Sequence, residues 1–296
     1  MKHTLTYADN HVHTNRSTGK HDLQTIVNKA IDAGIGILCV ADHDILAPDD
    51  LSSFEKKGLR LLRGTELSCS YLKRDGKSIV IHIIACNYHA PAPALEKIAA
   101  FNRIQKERSN RSYYENIRKK LNALDLDIGS YDALLQKKGL KQLEKKDIAM
   151  ELSEQKHIPL DKIYEDYLST RGKQLCYVPD ETEYIPYQIA IDAILKENGI
   201  PILCHPLKYQ LADFELLTLI EDFRQCCHDA AAGMETMYGH YTAEQVQTLQ
   251  ALCRGNGLYE SVGSDYHGIS PSDTLLHRFP ISVTETLLQA QKKQTL

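Results

Sequence analysis

The stretch Asp9-Asn10-His11-Val12-His13-Thr14-Asn15-Arg16 closes a short alternating run, Leu5-Thr6-Tyr7-Ala8, that reads as a strand. His11 and His13 lie two apart, so they point to the same side of that strand at its end. Two imidazoles on one face can reach one divalent ion through nitrogen, and an ordinary core has no need of such a pair. An apolar strand that ends in His, Asp or Glu then recurs along the chain, and that recurrence decides the fold class.

After the first strand, Asp22 reads as a helix N-cap, Ile26, Val27, Ala30 and Ile31 fall at helical spacing, and Gly34 reads as a stop. Ile35-Gly36-Ile37-Leu38-Cys39-Val40-Ala41 is a buried-strand run that ends in Asp42-His43-Asp44. The alternation predicts a helix around 48–57 and a strand over 59–65 that leads to Glu66. A fourth strand over 79–86 carries His82 on the face of Val80 and Ile84. Further on, helix 186–198 leads to strand 200–204 and His205, helix 211–228 to strand 232–238, and helix 242–255 to strand 257–263. Asp265 and His267 follow the last of these. Repeated β-α units imply a parallel sheet, and seven or eight of them close into a barrel of TIM type with chemistry at the carboxyl ends of the strands. Six of the seven expected strands deliver His, Asp or Glu to one rim, which polar loops alone do not explain.

Residues 92–178 have a different texture, with helical patterns around 92–122, 130–138, 146–156 and 160–168 and no strand pattern. They are expected to form an inserted helical subdomain that divides the barrel into 1–91 and 179–296. The net charge of −4 hides an asymmetry: 92–178 holds 17 Lys and Arg against 13 Asp and Glu, the rest 18 against 26. A basic middle suits an anionic ligand, and acidic, His-bearing flanks suit cations.

The eight cysteines fall mostly in apolar stretches with no CxxC pairing and are expected to be reduced. No run resembles a signal core or a membrane span, which points to the cytoplasm and away from membranes.

His11, His13, His43, Glu66, His82, His205, Asp265 and His267 offer nitrogen and oxygen and no thiolate. Such a set suits Zn, Mn or Fe(II). It exceeds what one ion needs, so at least two ions are expected, with Glu66 as the bridge. Two ions about 4 Å apart can generate a hydroxide near neutral pH and clamp the entering and leaving oxygens of a phosphoryl group. Hydrolysis of phosphate esters is therefore the expected chemistry, with Glu66, Asp265, His267 and Asp42 as the catalytic set. Other chemistries lack their frames: the chain has no GxxxxGK[ST] loop, no dinucleotide fingerprint and no Gly-x-Ser-x-Gly turn around Ser264.

In order, HVHT, ADHD, GTELS, IHIIA, CHPLKY and GSDYHG span nearly the whole chain. They resemble the PHP family, the polymerase-and-histidinol-phosphatase metallohydrolases. Within it the chain is most similar to bacterial phosphoesterases that carry a helical insertion and act on nucleoside 3′,5′-bisphosphates or the 5′ ends of short oligonucleotides. The resemblance implies a distorted (β/α)7 barrel holding two or three divalent ions. By that likeness His11, His13, Glu66 and Asp265 would hold one ion, Glu66, His82 and His205 a second, and His43 and His267 would help hold a third.

The departures bear on substrate and stoichiometry. Thr18 stands where relatives often carry an Asp that serves the third ion, with His21 nearby as a possible substitute. Lys145-Lys146-Asp147-Ile148-Ala149 replaces a substrate-facing Arg-x-His-Ile-Ala. Lys208, Lys145 and Lys146 are expected phosphate contacts, with Arg16, Arg171 and Lys173 as weaker ones. The expected substrate is a phosphorylated small molecule or a short oligonucleotide, not a duplex, which is too wide for a covered site.

Three rivals remain. An amidohydrolase-type carbon–nitrogen hydrolase would bridge its metals with a carboxylated Lys on the fourth strand, where this chain has His82. A histidinol-phosphate phosphatase is disfavoured by the long basic insertion. A non-catalytic metal-binding PHP domain is disfavoured by the near-complete ligand set.

Overall fold

The computed structural model of the protein describes residues 5–56, 58–140, 142–143, 145–169, 173, 175–178, 182–269 and 278–294. The chain divides into two compact units. One comprises Met1–Asn102 with Tyr184–Leu296, and the other Arg103–Glu183.

The first unit is built on one sheet. It begins with β1 (Tyr7–Val12), α1 (Leu23–Ala33), β2 (Ile35–Val40), β3 (Arg60–Leu72) and β4 (Ser78–Cys86). Asp22 caps α1 as expected, its carboxylate accepting from Thr25 N at 2.8 Å. Every residue of β2 is buried, as suits a strand covered on both faces. Between β2 and β3 the helix expected over 48–57 is only a 3-10 turn, Leu51–Phe54. Backbone carbonyls just before it are occupied instead by Arg63, whose guanidinium donates to Pro48 O and Asp49 O.

The fourth strand departs from the parallel pattern. β3 pairs parallel with β2 over Arg60 to Arg63 and then antiparallel with β4 from Gly64 opposite Cys86 to Leu72 opposite Ser78. β4 also runs antiparallel to β6. The cause is the Lys73–Lys77 connection, five residues closed by Gly76 N to Lys73 O at 3.0 Å and Lys73 N to Lys77 O at 2.9 Å. Gly76 supplies the positive φ of 82° that this turn needs. A link so short makes a hairpin and cannot cross over to a parallel strand. Gly64 marks the closest approach in this region, because a Cβ there would overlap Cys39 Sγ and Val40 O.

After α2 (Pro93–Asn122), within which the division between the units falls, come α3 (Tyr131–Lys138), α4 (Lys145–Lys156) and α5 (Leu160–Ile163), the last continued by a π turn, Tyr164–Leu168. The second unit has its own core, in which Tyr114, Ile117, Leu134, Leu152 and Ile163 are buried together. The first unit resumes with β5 (Ile185–Pro186), α6 (Tyr187–Lys196), β6 (Ile200–Leu203), α7 (Asp213–Cys226), β7 (Gly233–Tyr238), α8 (Ala243–Gly255), β8 (Tyr259–Gly263), β9 (Phe279–Pro280) and α9 (Ile281–Gln294).

The described sheet has nine strands in the order β8-β7-β6-β4-β3-β2-β1-β9, with β5 beside β3. It curls until its two sides nearly meet. Asp265 N, just past β8, donates to His11 O at 2.9 Å, and His13 N donates to Tyr266 O at 3.0 Å. The interior is apolar, with Ala8, Cys39, Ile84, Ile202 and Val262 packed together and Leu287 and Leu288 of α9 added to them. The result is a mixed α/β, barrel-like sheet rather than seven uniform β-α units. Among the described residues no helix is long and apolar enough to cross a membrane.

Candidate metal centre

The polar strand ends meet at Glu66. This residue lies in the part of β3 that runs past the ends of β1 and β2, and it is fully buried. Its two oxygens face different histidines. Oε2 lies 3.2 Å from His11 Nε2, 3.2 Å from His13 Nε2 and 2.9 Å from His43 Nδ1. Oε1 lies 2.9 Å from His82 Nδ1 and 3.0 Å from His205 Nε2. His82 reaches this level because β4 runs backwards, which sets it opposite Ser68, two residues beyond Glu66.

Asp265 completes the His11 and His13 side. Its Oδ1 lies 3.0 Å from His13 Nε2, 3.5 Å from His11 Nε2 and 3.6 Å from His267 Nδ1. His267 Nδ1 donates to the backbone carbonyl of Asp265 at 2.8 Å. That bond places the ring proton at Nδ1, so Nε2 is the unprotonated nitrogen of the neutral ring.

The charges in this cluster are set by burial against proximity. Burial opposes ionisation of Glu66, but His43, then His11 and His82, hold its carboxyl well below the usual range. Asp265 is likewise held well below its usual range, against burial, by His11 and His13. Burial pushes His43 down to about 3 and lowers His205 and His267. His11 and His13 move the other way. Burial opposes their protonation, but Glu66, Glu235 and Asp265 raise His11 well above its ordinary value, and Asp265 with Glu66 lifts His13 to about 9.

These residues fit divalent ions. His11 Nε2 and His13 Nε2 face one another at 3.1 Å, and Glu66 Oε2 is buried without a well-aligned hydrogen bond. Converging acceptors of this kind ask for a cation between them. Ligand atoms of His11, His13, Glu66 and Asp265 lie within 4.8 Å of one another, as do those of His43, Glu66 and His82, and those of His13, His43 and His267. Cys204 lies beside His11 and Glu235; burial raises its pKa well above the ordinary value, and its thiol donates to Ile202 O.

The remaining expected residues fall elsewhere. Asp42 is buried next to His43, but its carboxylate accepts from Thr14 N at 2.8 Å, Thr14 Oγ1 at 2.7 Å and Ser17 Oγ, so it holds the loop after β1 and is not in the ligand groups. Thr18 Oγ1 is buried without a partner, and His21 stacks on Tyr266 and joins no ligand group. Lys208 Nζ donates to Asp265 Oδ2, and Arg16 donates to Leu46 O.

Lys145, Lys146 and Lys173 belong to the second unit. There Lys145 lies over the Tyr177 ring and Lys173 pairs with Asp166. Arg171 lies outside the described residues.

Three contributors escaped the motifs. Glu235 in β7 accepts from His11 Nδ1 at 2.8 Å. Tyr238 donates to Asp265 Oδ2 at 2.9 Å. Asp9 accepts from His11 N and Ser264 N, and burial pushes its carboxyl up to about 7. Acids inside apolar strands were the available signal, since a buried carboxylate persists only with partners.

No protein-family model matches the chain. Among curated proteins it is 29% identical over 267 residues to a 5'-3' exoribonuclease of Haemophilus influenzae, covering 88% of this chain and 89% of that protein. It is 21% identical over 266 residues to a 3',5'-nucleoside bisphosphate phosphatase of Chromobacterium violaceum, covering 88% and 86%. In fold it is similar to an amidohydrolase from Chromobacterium violaceum with bound sulfate and no metal, at TM-score 0.72 and 20% identity over 96% of both chains. A protein from Bifidobacterium adolescentis matches at TM-score 0.66 and 22% identity, again over 96% of both chains.

Proposed function

We propose that the protein is a metal-dependent phosphoesterase of PHP type, hydrolysing phosphate esters of nucleotides or short oligonucleotides. The observation that carries this reading is the division of Glu66, with one oxygen against His11, His13 and His43 and the other against His82 and His205. One carboxylate so placed serves two cation sites at once. The curated relatives act on RNA or on nucleoside bisphosphates, which supports the substrate class. The amidohydrolase alternative has no Lys at the bridging position, which Glu66 occupies.

His11, His13, Glu66 and Asp265 would hold one ion, and Glu66, His82 and His205 the second. His13, His43 and His267 offer a third site that lacks a carboxylate, since Thr18 supplies only a hydroxyl. When bound, such ions supply Lewis acidity at phosphoryl oxygens and acidify water. The chain itself does the positioning. Lys208 Nζ, half exposed, keeps hydrogens free beyond the one it gives Asp265 and is available to a substrate phosphate. His267, whose pKa burial lowers and whose side chain is partly exposed, can carry a proton at Nε2 when no ion is held there.

The test is turnover of nucleoside bisphosphates, short oligoribonucleotides, histidinol phosphate and an aryl phosphate, with bound metal measured in the same preparation. Metal-dependent turnover that favours the nucleotide substrates is expected. Turnover unaffected by chelation would overturn the metal reading, and equal rates on histidinol phosphate would overturn the substrate reading.

A further inference from the structure

Glu235 stands outside every motif that marks the metal centre, yet it touches both of its sides. It is completely buried in the middle of β7. Its Oε1 accepts from His11 Nδ1 at 2.8 Å, and its Oε2 accepts from the backbone N–H of His205 at 2.6 Å. His11 faces Glu66 Oε2 and His205 faces Glu66 Oε1, so the two donors held by Glu235 belong to histidines on opposite oxygens of the bridging carboxylate.

Two further features show that the fold makes room for this carboxylate. The β7–β8 ladder slips between Glu235 and Met237, an irregularity at the level of the Glu235 side chain. Across the ladder, Gly263 leaves the space the carboxylate fills, because a Cβ there would overlap Glu235 Oε1 and crowd His11 Cβ. His205 also has φ of 28°, a backbone conformation that costs free energy unless its surroundings hold it, and its N–H is the group that Glu235 grips.

We infer that Glu235 is the positioning residue that sets the spacing of the two cation sites, by directing His11 Nε2 to one and fixing the strained backbone of His205 at the other. The place calls for a side chain that accepts at both of its terminal atoms. Both groups that point at it are donors, and a carboxylate accepts at both oxygens. Gln has the same shape but one acceptor and one donor, so it satisfies either His11 or His205 and repels the other. Asp keeps both acceptors but is one methylene too short to reach both. A carboxylate on the far nitrogen also makes the imidazole a more basic ligand, and the loss of such a partner typically weakens metal binding tenfold to a hundredfold.

This inference rests on the metal-centre part of the proposed function and not on its substrate, so its test uses Zn2+ alone. Zn2+ affinity and stoichiometry would be measured by chelator competition for wild type, Glu235→Gln and Glu235→Asp, each first checked for folding by its thermal transition. Both folded variants are expected to bind Zn2+ tenfold to a hundredfold more weakly. In 15N spectra of the zinc-loaded protein, His11 Nδ1–H is expected as a low-field, slowly exchanging proton in wild type, and Glu235→Gln is expected to lose either that proton or the exchange protection of the His205 backbone N–H. A folded Glu235→Gln that binds zinc as tightly as wild type would overturn the inference. Should the variants fail to fold, the wild-type spectrum decides: a protected, low-field His11 Nδ1–H sustains the inference and its absence overturns it. Zinc binding as described with no phosphoesterase turnover would sink the proposed function and leave this inference standing.

Discussion

Lys208 Nζ lies 2.9 Å from Asp265 Oδ2, and Tyr238 OH donates to the same oxygen at 2.9 Å. Asp265 therefore turns Oδ1 to His13 and Oδ2 to a lysine that is half exposed. Lys208→Ala removes one of the two donors that reach Asp265 Oδ2 among the described residues while Tyr238 keeps the carboxylate in place, so bound metal should stay near wild type. Loss of a charge-assisted contact with a second substrate phosphate costs about 1.5–3 kcal/mol, or roughly tenfold to a hundredfold in kcat/KM. The loss should appear with bisphosphorylated nucleotides and be small with an aryl phosphate. An equal loss on both substrates would show that Lys208 serves Asp265 alone.

Glu66→Gln replaces the carboxylate whose two oxygens face the imidazole nitrogens of the two sides of the centre with a group that accepts at one atom. Hydrolysis should fall at least about a thousandfold, about 4 kcal/mol in transition-state stabilisation, and bound metal should drop. Elemental analysis beside steady-state rates checks this. Metal content and turnover equal to wild type would remove Glu66 from the bridging role.

Thr18 Oγ1 is buried and unpartnered near the loop that Asp42 holds. With no carboxylate there, metal retained after dialysis should be nearer two ions than three per chain. Thr18→Asp should raise it towards three. A tightly held third ion in wild type, insensitive to His21→Ala, would contradict this.

His13 predicts how pH and metal interact. Burial opposes its protonation, but Asp265 and Glu66 lift its pKa from the ordinary 6.5 to about 9. Because the folded value is raised, the protonated residue stabilises the metal-free protein fully below about 6.5, and that contribution is lost as pH climbs through about 9. A cation at the same nitrogen must displace this proton. The increase in Tm on adding Mn2+ should therefore grow from pH 6.5 to pH 9. A metal-induced increase that shrinks across that window would count against His13 as a ligand.

Much of the candidate centre was legible in the sequence because most of its residues sit at or just past strand ends, where a local pattern of period two and a terminal His, Asp or Glu announce both the strand and its rim. His11, His13, His43, His205, Asp265 and His267 are of this kind, whereas Glu66 lies in the middle of β3 because that strand runs on to Leu72. The helices of 92–168 were legible for the same reason, since their periodicity is a property of consecutive residues. Strand direction was harder to read: β4 has the apolar content of its neighbours, and only Lys73-Arg74-Asp75-Gly76-Lys77, a connection too short for a crossover, shows that it must turn back.

What tertiary structure alone decided is how charge is shared. Asp265 meets His13 across 252 positions, and Glu235 meets His11 across 224. Asp42, beside His43 in sequence, holds Thr14 and Ser17, while Glu235, in a strand with no motif, is drawn in to His11 and His205. A carboxylate's role depends on which donors reach its oxygens once water is removed, and those donors come from strands that only the closing sheet brings together.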